Sequence, residues 1–582
     1  MSPLRRSPAL AAALCVFVLA GAALTITHHE PRQPIPTRVA IADALRSWKV
    51  KQALTGLRFT GASASGLDGR NERVSFFDGS RMVADVLMRS DGTVAQVGSY
   101  HSSSVPPYGD WIAYEPPMLI GLGLLFALMT GVAPLRRARN LDVLAALSFL
   151  ATVVLLARHY VGASALSTVP GMLWLTFRCA LRGLGRRRPA PPSVPLFDLL
   201  TRGLTPRERR RVLQLTLLVL VLIFVMVGVS SPSADDVAYA VMEGATRLIH
   251  GVLPYGHLPG DVFHGDTYPI LSYALYVPVA LLEPVNTIFS SVDGALAAAV
   301  LAALAAAGAA AWAARGGAAR MKRRPGGRQP AELAGLRTAV ALLSFPPLLI
   351  TASAGTTDPA LGALVIIALL LWRRPALSSG TLAIAGWFKL APFALVPLWL
   401  APRRGRELLC ALGALLGISL ASLGLIVALG GTGGLAAMVH AIGYQFDRES
   451  PQSAWYALGL LWLQPLGQAA VLALIIAATV QLWRDRALAA DPERIAALAA
   501  AILLGLQFTA SQWAFMYLAW ALPLLGLSLF PEPAYVGAAA ATPPSALAHA
   551  PIGGSFGVEP AEAQVLVEPG SAPPPVQPVW AP

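Results

Sequence analysis

The chain has 582 residues, of which 55% are hydrophobic and 13% are charged, and its mean hydropathy is +0.60. Soluble domains carry about a quarter charged residues, so this composition excludes an ordinary soluble protein and indicates a surface that largely faces lipid. The net charge of +13 does not predict nucleic-acid binding, because the basic residues stand in short loops between apolar runs. That distribution is typical of cytoplasmic loops in membrane proteins.

Cysteine spacing predicts neither a disulfide framework nor a zinc site. Cys15, Cys179 and Cys410 all lie inside apolar runs, and no Cys-x-x-Cys or His-Glu-x-x-His pattern is present. We therefore predict no metal ligands. Carboxylates are available for a divalent cation, but no spacing specifies a site for one.

The first apolar run spans residues 10–26 and follows two arginines. It is either a cleaved signal peptide or an anchor, and we favour an anchor within residues 1–27. Residues 28–115 are polar, with three Asp-Gly pairs between alternating runs. This pattern predicts a small extracytoplasmic α+β domain with a structural or partner-binding role.

The rest of the chain is dominated by apolar runs near the length of about 20 residues that a membrane helix needs. We predict a three-helix membrane module at 116–181, a basic cytoplasmic loop at 182–211 and a larger membrane domain at 212–530. Residues 531–582 are rich in Pro and Ala and predict a disordered tail. The fold class is an all-α polytopic bundle of about 12–14 membrane segments, with the small α+β domain near its N-terminus.

Two apolar stretches do not fit the alternation of sides. Residues 268–285 contain three prolines, and a full crossing there would place the basic cluster 315–324 outside. Residues 381–400 have arginines before and after them, so both ends favour the cytoplasm. We predict that both stretches are broken or re-entrant, which is tolerated at membrane depth only where backbone lines a cavity or is buried in protein.

Counting crossings places residues 230–267 outside, in a loop that contains five carboxylates. The pair Asp235 and Asp236 follows the end of a membrane helix, where a low dielectric raises a carboxyl pKa and suits a general base. The alternative is that both residues only cap the helix that follows, because Asp is a preferred N-cap residue. Asp266 lies near the end of the same loop.

Other polar residues recur at the outside ends of apolar runs, among them Asp358, Arg448 and Gln512. Lys389 is the cation inside the 381–400 stretch, and an ionisable residue there indicates function by default. The alternative is a lysine whose ammonium reaches the interface. The aromatic residues Tyr239, Tyr255, Tyr268, Trp455 and Tyr456 suit either a sugar or polyprenyl site or the interfacial belts of a membrane protein.

An ordered series of short motifs resembles a known family. The series consists of Asp236-Val-Ala-Tyr239, Gly251-Val-Leu-Pro-Tyr255, Tyr268-Pro269, Phe388-Lys389-Leu-Ala-Pro392, Arg448 and Gln512. With these motifs, residues 212–530 resemble the GT-C superfamily of membrane glycosyltransferases, and most of all glycosyltransferase family 87. Two motifs depart from the family pattern: Ile270 replaces the second proline of Tyr-Pro-Pro, and Gly355-Thr-Thr-Asp358 replaces Gly-Gln or Gly-Asn.

The resemblance implies an inverting transfer of a sugar, often mannose or else another hexose or a pentose, from a polyprenyl-phosphate donor. The acceptor is a lipid or a glycan on the extracytoplasmic side of the plasma membrane. Asp236 takes the role of the base, with Asp235 beside it, and Lys389 and Arg448 bind the donor phosphate. The expected substrate-binding residues are Tyr239, Tyr255, Asp266, Tyr268 and Gln512.

Two other functions remain open at this point. A transporter or flippase for lipid-linked glycans also needs a polar cavity and broken helices, although no inverted repeat is evident. A scaffold or sensor of the cell envelope would act through residues 28–115. The absence of a glycine-rich nucleotide-binding pattern favours a donor that is not a nucleotide sugar.

Overall fold

The computed structural model describes residues 37–66, 71–79, 81–89, 94–99, 109–185, 193–229, 234–258, 265–285, 292–321, 328–447 and 452–530. The chain divides into two units, Met1–Ala534 and Tyr535–Pro582, and all described residues belong to the first. The predicted N-terminal anchor and the predicted tail from 531 onward lie outside the described residues.

The N-terminal part is a small α+β domain, as predicted. Its elements are α1 (Thr37–Arg46), α2 (Trp48–Leu54), β1 (Gly61–Gly66), β2 (Asn71–Asp78), β3 (Arg81–Arg89) and β4 (Val94–Ser99). The strands form one antiparallel sheet in the order β1-β2-β3-β4. Alternate residues such as Val74, Phe76 and Val86 are buried and share a core with Ala44 and Val50 of the two helices, as the period of two along a strand requires.

Of the three Asp-Gly pairs, Asp78-Gly79 lies in a described turn. Asp78 pairs with Arg81 across the β2–β3 hairpin, and Gly79 has φ +60°, which glycine adopts without steric cost. The other two pairs, at 68–69 and 91–92, fall outside the described residues.

Helices make up most of the remaining described chain. They are α3 (Pro116–Thr130), α4 (Ala138–Leu147), α5 (Phe149–Ala157), α6 (Val161–Leu184), α7 (Leu196–Leu200), α8 (Pro206–Val229), α9 (Asp236–Ile249), α10 (Leu271–Ala274), α11 (Val277–Ala280), α12 (Asp293–Met321), α13 (Arg328–Leu343), α14 (Pro346–Ser353), α15 (Asp358–Leu370), α16 (Pro375–Phe388), α17 (Val396–Leu400), α18 (Gly405–Asp447), α19 (Ala454–Ala457), α20 (Gln464–Arg484), α21 (Arg486–Ala489), α22 (Pro492–Phe508) and α23 (Leu518–Ser528). Short 3-10 turns lie at Trp111–Tyr114, Gly265–Thr267, Ala391–Leu395, Leu461–Leu463 and Phe515–Tyr517. A two-stranded ribbon joins β5 (Val132–Ala133) to β6 (Val194–Pro195).

Several of these helices suit a membrane. Within the described residues, five helical stretches are long and apolar enough to span it, at Ala138–Ala157, Pro206–Gly228, Asp293–Gly316, Gly405–Gln445 and Leu461–Arg484. The pair α13 and α14, bent by 62°, makes a sixth if it counts as one span. Shorter apolar helices add to the bundle. The chain is thus a multi-pass, mainly helical membrane protein, while the larger predicted number of segments stays a prediction.

Residues 375–403 form a helical hairpin that reverses at Lys389. α16 ends at Phe388, Lys389 is extended, and the Ala391–Leu395 turn and α17 lead back. At the base, the Arg403 guanidinium donates to the Pro375 carbonyl oxygen at 3.0 Å, so the two ends of the segment meet. The predicted break in residues 381–400 is therefore confirmed.

Residues 268–285 are also broken, as predicted. They contain the single-turn helices α10 and α11 instead of a continuous span. The Ser272 hydroxyl donates to the carbonyl oxygen of Phe388, which links this stretch to the tip of the hairpin. Both irregular segments therefore meet inside the protein, where polar backbone groups find partners.

The hairpin predicts that two exposed residues, Arg374 and Arg404, lie on the same side of the membrane. Single cysteines at Arg374 and Arg404, in a chain without its three native cysteines, should react with an impermeant maleimide from the same side of the membrane. Both positions are exposed and flank the base of the hairpin. Labelling from opposite sides would show that residues 375–403 cross the membrane once.

Candidate active site

A tight turn between α14 and α15 organises the candidate site. α14 ends at Ser353 and α15 begins at Asp358, and Gly355 between them has φ +70°. A Cβ on Gly355 would lie 3.1 Å from the Cβ of Ala238, so α9 packs directly on this turn. The amide of Asp235 donates to the carbonyl oxygen of Ala354 at 2.8 Å. The start of α9 and the start of α15 are thereby brought together.

Asp235 and Asp236 have different environments. Asp235 is the N-cap of α9, its Oδ1 accepts from the Asp236 amide at 3.0 Å, and it is only 7% exposed. Asp236 is the first residue of the helix and is exposed, where a carboxylate also interacts favourably with the helix dipole. The capping interpretation therefore holds for Asp235, which leaves the Asp236 carboxylate accessible.

Burial is the largest cause that raises the pKa of Asp235 well above its ordinary value, and the neighbouring carboxylates Asp236 and Asp358 raise it further. The residue lies outside the long apolar helices. The surroundings of Asp235 therefore disfavour its charged form more than water does. One member of the acidic pair is thus a buried cap with a raised pKa.

The raised pKa gives a stability prediction for Asp235→Asn. A folded-state pKa above the unfolded one means that the wild type loses stability as pH rises from the unfolded value toward the folded one. Asn mimics the neutral acid and still caps the helix. The melting temperature of the variant, measured in detergent, should therefore exceed that of the wild type by more at pH 7 than at pH 4. Parallel curves for the two proteins would contradict the raised pKa.

Lys389, at the tip of the hairpin, forms a buried ion pair with Asp358. The ammonium contacts Asp358 Oδ1, and the side chains are 9% and 2% exposed. The Trp520 indole N–H donates to the same Oδ1 at 2.6 Å. The alternative of a lysine that reaches the interface is therefore wrong, because this ammonium stays buried against a carboxylate.

Three aromatic rings surround the Lys389 ammonium. Its Nζ lies 5.8 Å from the ring centroid of Tyr268, 5.3 Å from that of Tyr517 and 5.4 Å from that of Trp520. These distances are within cation–π range, and the Tyr517 and Trp520 rings stack at 4.6 Å. We call Lys389, Asp358 and these three aromatic residues the lysine cage.

The predicted residues Tyr255 and Asp266 stabilise the loop that leads to Tyr268. The Tyr255 hydroxyl donates to the Tyr268 carbonyl oxygen at 3.1 Å, and Asp266 Oδ2 accepts from the Gly256 amide at 2.8 Å. The Tyr273 hydroxyl donates to the Gly265 carbonyl oxygen at 2.7 Å. Burial raises the pKa of Tyr255 and Tyr273, so both phenols stay neutral donors.

The last turns of α18 fix the same loop from the other side. α18 kinks at Gly431, whose φ of 59° and ψ of −154° are not helical. Beyond the kink, the Gln445 side-chain amide donates to Thr267 Oγ1 at 2.7 Å. Leu253 packs so closely on Gly430 that a Cβ there would lie 2.3 Å from its methyl carbon. The loop is therefore positioned by α18 as well as by its own hydrogen bonds.

The remaining predicted residues have separate positions. Tyr239 is half-buried one turn after Asp236, and burial raises its pKa. Gln512 lies just before the turn that carries Tyr517, and its Oε1 is buried without a hydrogen-bond partner in the described residues. Arg448 falls outside the described residues.

The partners of Lys389 are what sequence reasoning missed. Asp358 was evident as an isolated carboxylate, but its pairing with Lys389 and Trp520 was not predicted. The available signal was that an isolated acid and an isolated base within apolar stretches tend to pair. Gln507 donates to the Tyr517 carbonyl oxygen at 2.9 Å and so supports one side of the lysine cage.

The described residues hold no group of three or more His, Cys, Asp or Glu side chains that could bind a metal ion. The site instead offers the exposed Asp236 carboxylate, the buried cap Asp235 and the buried Lys389 ammonium within aromatic rings. This arrangement suits proton transfer from a hydroxyl group next to a site for an anion.

Comparison with known families points to membrane glycosyltransferases. The model of glycosyltransferase family 87 matches residues 267–511, as the motif series indicated. The matched segment includes Tyr268, Asp358 and Lys389, whereas Asp235 and Asp236 precede it. No curated protein and no solved structure matches the chain.

Proposed function

We propose that this chain, which carries a family 87 glycosyltransferase segment at residues 267–511, moves a sugar from a polyprenyl-phosphate donor to a lipid or glycan acceptor. The reaction takes place on the extracytoplasmic side of the plasma membrane. The observation that carries the proposal is the exposed Asp236 at the start of α9, joined by the 354–358 turn to the buried cation Lys389. A membrane enzyme with a lipid-linked donor needs both groups near the hydrocarbon region.

Asp236 is the general base. The acceptor hydroxyl oxygen attacks the anomeric carbon from the face opposite the phosphate, so the configuration inverts. Its proton passes to the Asp236 carboxylate while the bond from the anomeric carbon to the phosphate oxygen breaks. Polyprenyl phosphate leaves with the bonding electrons. A positioned base of this kind contributes about 10²–10⁴-fold to the rate.

The departing phosphate gains negative charge and needs cationic partners in a medium of low dielectric. Lys389 supplies one ammonium from the hairpin tip, and Arg448 supplies the second cation, with the bidentate geometry that guanidinium offers to phosphate. Tyr239, Gln512 and the Tyr268 ring bind the sugar or the first isoprene units. Tyr255 and Asp266 contribute by holding the loop that presents Tyr268. Mannose is the first sugar to test.

A lipid-linked glycan transporter is the second candidate, favoured by the two broken segments that meet at Phe388. Broken helices that point at a central site are common in transporters. The exposed carboxylate at a helix start favours the transferase, because translocation requires no base.

The test is sugar transfer from labelled polyprenyl-phosphate mannose by the purified chain in liposomes, followed by a panel of other polyprenyl-phosphate sugars. We expect release of polyprenyl phosphate in equal amount to the glycosylated acceptor. Movement of the labelled donor between leaflets without its cleavage would identify a transporter. Cleavage of a nucleotide sugar in place of a lipid-linked one would exclude the proposed donor.

A further inference from the structure

The base chemistry leaves the Asp358 carboxylate without a role. It lies at the first position of α15, 2% exposed, between the Lys389 ammonium and the Trp520 indole. Both donors meet at the same oxygen, Oδ1. A carboxylate that is buried with one cation normally makes that cation less available to an anionic substrate.

The arrangement around the pair favours exchange of the ammonium. If Lys389 moves away from Asp358, the Trp520 N–H still donates to the carboxylate, so Asp358 is not left without a hydrogen bond. With the ammonium on Asp358, the rings of Tyr268, Tyr517 and Trp520 lie within 6 Å of it. Their cation–π attraction does not depend on the carboxylate and lowers the cost of leaving it. Lysine suits such exchange because its ammonium is a rotatable point charge.

The tip of the hairpin holds the backbone of Lys389 in place while its ammonium changes partner. The Lys389 amide donates to the Ala385 carbonyl oxygen at 2.9 Å, and Ser272 bonds the preceding carbonyl group. Only the four-carbon side chain therefore has to move. The negative charge of Asp358 also contributes to the raised pKa of Asp235. The Asp358–Lys389 ion pair is therefore close enough to the acidic pair to affect it.

We infer that Asp358 is a positioning residue that holds the Lys389 ammonium inside the lysine cage until a donor arrives, and that the ammonium then passes from Asp358 to the donor phosphate. This inference rests on the proposed function, because the anion is the phosphate of the polyprenyl donor. Trp520 stabilises the carboxylate that remains. No covalent bond changes in this step.

An ion pair that only stabilises the fold would respond to substitution differently from one that releases its lysine to the donor phosphate. Replacing a buried pair with neutral groups of similar size is often neutral for stability, whereas removing one partner leaves an uncompensated charge. Asp358→Asn and Lys389→Met should each lower the melting temperature in detergent, and the double variant should recover most of that loss. Sugar transfer by the double variant should nevertheless stay about 100-fold below wild type.

Binding of the product distinguishes exchange of the Lys389 ammonium from sugar transfer. Polyprenyl phosphate, added without a sugar, should raise the melting temperature of the wild type and leave that of the double variant unchanged. Asp358→Glu, which keeps the charge, should recover part of the transfer rate lost in Asp358→Asn. Trp520→Phe should raise the KM for the donor about tenfold, while the matched variant Trp387→Phe should stay near wild type. Trp387 lies on the same hairpin, but its indole N–H donates to the Ser419 hydroxyl instead of to Asp358.

Transfer at the wild-type rate by the double variant would overturn the inference and leave the proposed reaction standing. Polyprenyl phosphate could instead stabilise the wild type and not the double variant while the wild type transfers no sugar. That result would support the inference and reject the proposed reaction. A wild type that neither transfers sugar nor responds to polyprenyl phosphate would reject both.

Discussion

Asp236→Asn is expected to lower the rate of sugar transfer by about 10²–10⁴-fold at saturating donor. The amide has the shape of the carboxylate but cannot accept the proton of the acceptor hydroxyl. Because Asp236 is exposed at the first position of α9, the substitution leaves no buried group without a partner. The lost charge at the helix start costs only about 0.3–1 kcal/mol of stability. The measurement is the initial rate in liposomes at matched protein amount, with the melting temperature as a check on folding.

Asp235→Asn is the matched control. The two residues are adjacent and the change is chemically the same, but Asp235 is a buried cap that Asn replaces without loss of the Oδ1 acceptor. We expect its transfer rate to stay within about tenfold of wild type. The contrast between the two variants therefore separates loss of the exposed carboxylate from any general effect of an Asp-to-Asn change at the start of α9.

Other outcomes would relocate the base. A rate lost in Asp235→Asn and kept in Asp236→Asn would assign proton transfer to the buried acid. Transfer at the wild-type rate by both variants would exclude the acidic pair and direct attention to Asp266, whose Oδ2 is bonded to the Gly256 amide. A variant that has both a lower melting temperature and a lower transfer rate would have a folding defect. Its rate would then be compared with that of the wild type per amount of folded protein.

The fold was predictable where local chemistry decides it. Long apolar runs define helices such as α8 and α12, because lipid exposure demands them. The reversal at Lys389 was predictable from the arginines on both sides of residues 381–400, since both ends favour one side of the membrane. The turn at Asp78-Gly79 followed from glycine's access to positive φ.

The site was predictable in part. Charge and position singled out Lys389 and the Asp235–Asp236 pair, but not which carboxylate is buried, because that depends on the contact of α9 with Ala354. The lysine cage joins residues far apart in sequence, with Trp520 162 positions from Asp358. Such contacts depend on how helices pack, and a single sequence carries little information on packing.

Gly362→Ala is expected to destabilise the protein by about 1–3 kcal/mol, because α15 and α23 touch at this glycine. A Cβ on Gly362 would lie 2.2 Å from the carbonyl oxygen of Ala519, and a backbone atom within a helix cannot move aside as a side chain can. Gly308→Ala is the matched control, since a Cβ there meets nothing within 4 Å and alanine favours a helix. Its melting temperature in detergent should equal or exceed that of the wild type.

The same variant tests how the α15–α23 contact supports the lysine cage. Asp358 lies one turn before Gly362 on α15, and Trp520 follows Ala519 on α23, so separating the two helices weakens the hydrogen bond from Trp520 to Asp358. Combining Gly362→Ala with Trp520→Phe should therefore cost less than the sum of the two single changes, because both remove the same bond. Fully additive losses in melting temperature would show that Gly362 and Trp520 act independently. An unchanged melting temperature in Gly362→Ala alone would contradict the close contact between α15 and α23.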